Sequence, residues 1–206
     1  MASTATPYGL RPIGNLSGQP YSGGTSRAYR VTADNSVAFY TNGIVVIAAG
    51  APNGGGTAPA AGTLSANSPL GICTGVQYTD PTLKYTLFAQ YLPANAITAG
   101  YTNILVFVQD DPNLLMQVQA NGAITQAEIG LNTNILTLTG SATTGLSAIT
   151  CDATAATTNT LPLRIVDIVN QGSLFGGGLS APGDAYTDII VKWNLNTHVY
   201  SFTTGQ

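Results

Sequence analysis

The segment at residues 104–120, ILVFVQDDPNLLMQVQA, sets the tightest limit on what this chain can fold into. Ile104, Val106 and Val108 fall on one face of an extended strand and Leu105 and Phe107 on the other, so both faces are fit for burial. After a break, Leu114, Met116 and Val118 alternate with Leu115, Gln117 and Gln119, a period of two that leaves one face partly wet. Between the two runs, Asp110, Asp111, Pro112 and Asn113 supply turn chemistry. Aspartate carboxylates accept from nearby backbone N–H groups, and proline presets φ near about −65°. The pattern predicts two strands folded back on each other as a hairpin. Nothing in it is reactive; it is a packing element.

What surrounds that element is short of charge. Charged residues make up 7% of the 206, against about 25% in an ordinary soluble domain, while hydrophobic residues are an unexceptional 44%. The surface must therefore be built from Thr, Ser, Asn, Gln, Gly and Ala. Such a surface has little electrostatic protection against association, which predicts that partners cover much of it. The few charges are also uneven. Arg11, Arg27 and Arg30 give residues 1–33 a net +3, and the remainder sets Lys84, Arg164 and Lys192 against nine acids, a net −6. Three arginines over twenty residues make a poor nucleic-acid patch. An arm lying on an acidic neighbour accounts for them better.

Residues 1–36 read as that arm. Pro7, Pro12 and Pro20, with Gly9, Gly14, Gly18, Gly23 and Gly24, rule out a helix and disfavour a central strand. Tyr8, Leu10, Ile13 and Tyr21 are apolar groups on a segment that has no core of its own, so they are expected to anchor on something else.

Residues 37–206 read as one β-rich body. Residues 29–41 and 43–49 are expected strands joined at Asn42-Gly43, a pair that tolerates φ > 0 and signals a hairpin. Residues 51–68 are low-complexity Ala, Gly, Pro, Thr and Asn; Gly54, Gly55 and Gly56 lack both the P-loop ending and the dinucleotide spacing. In residues 69–78, Leu70, Ile72, Val76 and Tyr78 point one way and Gly71, Cys73 and Gly75 the other, the small face suiting close approach by another strand. Residues 84–92 return as a strand after Asp80-Pro81. Thr125 and Glu128 fit a capping box for the single helix candidate, one or two turns long and stopped at Gly130. Residues 134–139, 145–151, 161–170, 186–194 and 198–203 are further short strands. Strands at this spacing, with no βαβ period, predict an all-β fold: an antiparallel sandwich or barrel with an extended N-terminal arm and at most one short helix.

Chemistry has little to work with. A triad would need His198, the only histidine, with Asp184 or Asp188, and no GxSxG elbow presents a serine. His198 sits in an expected strand, where an exposed or edge position is the ordinary one. Asp110 and Asp111 are adjacent, unlike a glycosidase pair, and the turn explains them. They resemble no EF-hand with Asn113. Cys73 and Cys151 form no CxxC motif, which predicts two buried thiols rather than a zinc or redox site, with one long-range disulfide as the alternative. Trp193 alternates with Ile189 and Val191 as a core or interface residue, so an aromatic sugar platform is a secondary reading. No catalytic residue, metal site or cofactor is expected. No secretory apolar region stands at the N-terminus, and the longest apolar run is too short to span a bilayer.

Several segments together carry a resemblance: PYGLRP at residues 7–12, GVQYTDP at 75–81, VQDDPNLLMQVQANG at 108–122, LPLRIVDIVN at 161–170 and GDAYTDIIVKWNLNTHVY at 183–200. In that order they look like the capsid cement, or decoration, proteins of tailed bacteriophages, especially cyanophages. Residues 51–68 are longer and richer in glycine than that pattern, and no role is carried onto them. The resemblance implies a non-enzymatic virion protein on the outer capsid surface, assembled in the host cytoplasm. It would bind the major capsid protein, with no nucleic acid or membrane as partner, and bridge neighbouring subunits. It also implies a homo-oligomer, a trimer ahead of a dimer. On this reading Tyr8, Leu10, Arg11, Pro12, Ile13 and Tyr21 of the arm are the expected partner-interface residues. A carbohydrate-binding or tail/fibre-associated β module has the same composition and is the alternative.

Overall fold

The computed structural model describes residues 4–31, 37–47, 57–59, 69–169, 181–194 and 197–201. Among them the chain is antiparallel β-structure with a sheet curled into a half barrel, as the alternating patterns predict. The strands in chain order are β1 (Arg11–Asn15), β2 (Arg27–Arg30), β3 (Phe39–Tyr40), β4 (Ile44–Ile47) and β5 (Thr57–Pro59). There follow β6 (Pro69–Thr79), β7 (Thr86–Ala89), β8 (Tyr91–Leu92), β9 (Thr102–Gln109) and β10 (Leu114–Gln119). The last five are β11 (Asn132–Thr133), β12 (Ile135–Leu136), β13 (Thr150–Cys151), β14 (Leu163–Ile168) and β15 (Asp188–Trp193). One sheet runs β1-β10-β15-β14-β11; the other runs β2-β9-β6-β4-β5, with β7 beside β6. Two small sheets, β3-β8 and β12-β13, fill corners.

The segment at residues 104–120 forms both expected strands but not the expected hairpin. β9 pairs with β2 and β6, whereas β10 pairs with β1 and β15 in the other sheet. Asp110 to Asn113 is therefore a crossover between sheets. The turn chemistry holds: the Asp111 carboxylate accepts from the Asn113 N–H at 2.8 Å and from the Asn15 side-chain amide at 2.8 Å. A turn of this length fits either geometry, and burial decides. Ile104, Val106 and Val108 pack with Leu70, Cys73 and Val76 of β6, while Leu114, Met116 and Val118 pack with Ile165, Ile189 and Val191. Ile44 and Ile72 enter that second core from the other sheet and join the layers. Gly71 gives β6 its close approach: a Cβ there would collide with the Gln109 carbonyl oxygen.

The Asn42-Gly43 turn forms, with Asn42 at φ 63°, but the hairpin expected across it does not: β3 pairs with β8, and β4 with β5 and β6 in another sheet. The capping box is present as predicted, Thr125 and Glu128 closing a 3₁₀ turn at Gln126–Glu128, and Gly130 follows at φ 89°. Hydrogen bonds from Thr125 hold the Glu128 carboxyl below its ordinary range. Two further 3₁₀ turns occur among the described residues, Gly23–Thr25 and Val199–Ser201. The latter corrects the strand expected at 198–203, of which 202 and 203 lie outside the described residues. Most of the low-complexity run at 51–68, including Gly54, Gly55 and Gly56, also lies outside them.

The N-terminal segment is extended, but it is not a separable arm. β1 is an edge strand on β10, and Leu10 is fully buried in the core with Ile44, Met116 and Trp193. Gly9, at φ 80°, lets the chain pass against Asn42 and Ser147 with no room for a side chain. Upstream of β1, the Gln119 amide reads the backbone like another strand, accepting from the Thr6 N–H at 2.8 Å and donating to the Thr4 carbonyl at 3.1 Å. The proline and glycine content excludes a central strand, and an edge strand satisfies that limit.

Two outcomes are expected. Leu10→Ala should cost about 2–5 kcal/mol in denaturant unfolding, as for other fully buried leucines, whereas a dispensable arm would show no change. Cys73 and Cys151 are both buried free thiols, and burial pushes Cys73 up to about 12 and raises Cys151 as well. Neither should react with a thiol reagent in the folded protein, and both should react after unfolding.

Candidate functional site

The residues expected to anchor a partner are divided by the fold. Leu10 and Pro12 are buried within the chain's own body, which corrects the expectation that they reach another molecule. Ile13 is half-buried against Leu115 and Ile190. The Tyr8 hydroxyl donates to an Asp188 carboxylate oxygen at 2.9 Å. Burial and that carboxylate raise the Tyr8 hydroxyl's pKa, and burial also raises Asp188. Arg11 is exposed, and Tyr21 is half-buried.

The groups with possible reactivity are occupied structurally. Asp110 accepts from the Tyr29 hydroxyl at 2.6 Å and pairs with Arg27 at 3.2 Å; Tyr29 meets the Tyr200 hydroxyl at 3.1 Å. Asp184 caps the Ala181 N–H at 2.8 Å. His198 is fully buried, not at an exposed edge. Its Nδ1 accepts from the Tyr200 N–H at 3.2 Å, so the neutral ring carries its proton on Nε2. That ring lies 6.0 Å from the Trp193 indole, whose N–H is buried without a hydrogen-bond partner among the described residues. No group of three metal-binding side chains occurs among the described residues.

What the described residues leave open is one face of the second sheet. Across the strands, Ala28 stands opposite Phe107, and Arg30 opposite Leu105, on β2 and β9. On β6, Gly75 stands opposite Phe107, and Gln77 lies between Leu105 and Phe88 of β7. Directly opposed residues of antiparallel strands share a face. These side chains therefore form one surface, turned away from Val106 and Val108 in the core. Phe88 is 73% exposed, and its ring stacks on Phe107 with centroids 6.2 Å apart and planes at 21°. Beside the pair runs a groove lined by Gly24, Ser26, Gly75, Gln90 and the two rings. Its floor is low because Gly75 has no side chain, and a Cβ there would meet only the Ala89 carbonyl, at 3.6 Å.

Of seven large hydrophobic residues exposed among those described, Leu83, Tyr85 and Phe88 fall within six positions, and of these Phe88 stands on this face. The sequence carries the signal as a run of large apolar side chains, KYTLFAQYL at residues 84–92. The single strand expected over 84–92 is broken at Gln90 into β7 and β8; within β7, Leu87 and Ala89 share one face, opposite Tyr78 and Val76, which turns Phe88 to the other.

Burial lowers the pKa of His198 despite the Leu70 backbone and the charges of Asp110 and Asp111, which act in the opposite direction. Between that lowered value and the ordinary one of about 6.5, the unfolded chain binds more protons than the folded one, so stability falls as pH drops below about 6.5. Replacing the ring by His198→Gln should flatten the decline in Tm between pH 7 and pH 5. A decline equally steep in the variant would assign it to other groups. Compared against known proteins, the chain matches no family model, no curated protein and no solved structure.

Proposed function

We propose that this chain is a non-catalytic structural subunit of a phage particle, a cement protein that binds the outside of the major capsid protein shell. The observation carrying that reading is the open sheet face, where the exposed Phe88 ring stacks on half-buried Phe107 in a body with only 7% charged residues. A large apolar ring that stays exposed in a free subunit gains on the order of 25 cal/mol for each Å² it buries against a partner. Several copies on one shell add weak contacts through multivalency, which is how such a subunit stiffens a shell without any one tight site. The ordered resemblance from residue 7 to residue 200 supports the same assignment.

This reading moves the contact surface from the N-terminal segment to β7 and β9. Tyr8, Leu10 and Pro12 hold the body together, and the partner meets Phe88, Phe107 and Leu105. A carbohydrate platform uses exposed aromatic rings too, and the Phe88–Phe107 stack is the feature such a reading would rest on.

The test is cosedimentation of the purified chain with shells of the major capsid protein. Wild-type chain should bind the outer surface and raise the temperature at which shells break. Phe88→Ser should weaken binding about 30-fold, equivalent to about 2 kcal/mol. A folded chain that ignores shells but is retained on glycans through Phe88 would replace the capsid assignment with the carbohydrate one.

A further inference from the structure

Like charges directly opposite on neighbouring strands destabilise a sheet, and this chain has only 6 basic residues from which to make such a pair. It nevertheless sets two of them there. Arg164 of β14 stands opposite Lys192 of β15, their Cβ atoms roughly 5 Å apart by strand geometry. Lys192 is opposite Leu115 of β10, and Gln117, two residues along, is opposite Arg11 of β1, so Arg11 shares the face. This is the outer face of the first sheet, turned away from Met116, Ile165 and Val191 in the core. Arg11 and Arg164 are exposed, and Lys192 is half-buried. No acid of the described residues neutralises the pair. Each of those carboxylates accepts from a donor of its own chain. Asp167, the diagonal neighbour of Lys192, accepts from the Ile168 N–H at 2.8 Å and forms no ion pair with the ammonium. The remaining acid, Asp34, lies outside the described residues. Lys192 has no hydrogen bond or ion pair among the described residues, and Arg164 has one bond. That bond orients it: Nε donates to Oδ1 of Asn132 at 3.0 Å. Asn132 is only 2% exposed, and its amide nitrogen donates to the Thr158 carbonyl at 2.9 Å, which fixes the amide. The guanidinium is held by its inner nitrogen, and its two terminal NH2 groups are left without an internal acceptor beside Lys192.

We propose that Arg164 and Lys192 form a carboxylate site that takes an Asp or Glu side chain from an acidic segment of another protein, with Arg11 flanking it. A guanidinium offering N–H groups in one plane matches a carboxylate bidentately, and the ammonium alongside adds a point charge. An anion between them turns a repulsion into a bridge, so the gain arises only on binding. The charge count selects the occupant. Three cations sharing their face with Asp167 and Asp188 are too few for a nucleic-acid backbone or for an anionic membrane, which selects clusters of about four to eight. A second copy would have to break one of its own hydrogen bonds to offer any carboxylate of the described residues, whereas a foreign acidic segment gives up only water. The site lies on the opposite sheet from Phe88 and does not rest on the shell reading.

The probes are an end-capped five-residue peptide of alternating Glu and Ser, its counterpart of alternating Lys and Ser, and inorganic phosphate. Each is titrated into the full isotope-labelled chain at low salt while the backbone amides are followed by NMR. The glutamate peptide should give saturable shifts at residues 132, 164 and 192 and smaller ones at residue 11, and the lysine peptide none. Arg164→Ala should weaken binding about fivefold, near the upper end for an exposed ion pair. Arg164→Lys keeps the charge and loses the fork, and should still weaken it about threefold. Lys192→Gln should weaken binding and at the same time raise Tm, because it removes the like-charge neighbour. A lower Tm in that variant would show that Lys192 already has an internal partner and would overturn the inference. Shifts centred on Lys84, or shifts that never saturate, would overturn it too. Phosphate binding at the same residues as tightly as the glutamate peptide would make this a site for small oxyanions and reject the acidic segment. Self-association of the unliganded chain that disappears in Lys192→Gln would make a second copy the occupant and reject it as well.

Discussion

A carboxylate with little access to water stands where the chain leaves one sheet for the other. Asp110 takes the Tyr29 hydroxyl and the Arg27 guanidinium, both from β2, while the next residue, Asp111, holds Asn15 at the end of β1. Unpaired, a buried charge of this kind would cost several kcal/mol. Paired, it contributes less to net stability than to position, because Arg27 is largely exposed and its attraction is screened by solvent. What it fixes is the seat of β2 on β9 and the point at which β9 stops and β10 begins. Tyr200 joins the same node through Tyr29, so the C-terminal turn closes over the crossover.

Around that node the chain uses almost no other charge, and the consequences reach the surface. Hydroxyls and amides replace ion pairs in the interior: Gln119 holds the N-terminal backbone, Thr187 donates to the Asp184 carbonyl, and Asn194 donates to the Leu161 carbonyl. Neutral groups of this kind are cheaper to bury than ions. The same neutrality leaves an exposed aromatic pair with no nearby field of like charges to hold other molecules away.

Much of this architecture was legible in the sequence, and the failures have a common cause. Alternation identified β9, β10, β14 and β15, because a strand with one buried face must repeat at two residues. It located β6 but mis-set its faces, since register shifts along β6 pack Cys73 with Leu70 and Val76 and send Ile72 to the other core. The capping box identified its turn because Thr125 and Glu128 interact locally. Pairing was not legible. The Asp110 to Asn113 turn serves a hairpin or a crossover equally well, and only the distant partners Val191 and Val106 decide which. The N-terminal segment failed for the same reason. Its composition shows that it makes no core by itself, yet nothing local shows that Leu10 completes one built from residues more than a hundred positions later. His198 was misplaced because the polar–apolar alternation of WNLNTHVYSF around it imitates a strand, whereas its Nδ1 instead caps a 3₁₀ turn. The open face was readable only in part, since Phe88 becomes conspicuous once β6 is seen to lie beneath it.

The bond between Tyr8 and Asp188 spans 180 positions of sequence, and it bears on how the molecule comes into being. On a ribosome residues 4–15 emerge well before β10 or β15 exists to receive them. They must wait, unpaired, until those strands follow, and the outer strand of the first sheet settles only after β10 has formed. Folding of this chain is therefore a late, concerted event governed by distant pairings, which is slow by nature. During that interval the bare side of β10 is the region most exposed to mispairing with another nascent chain.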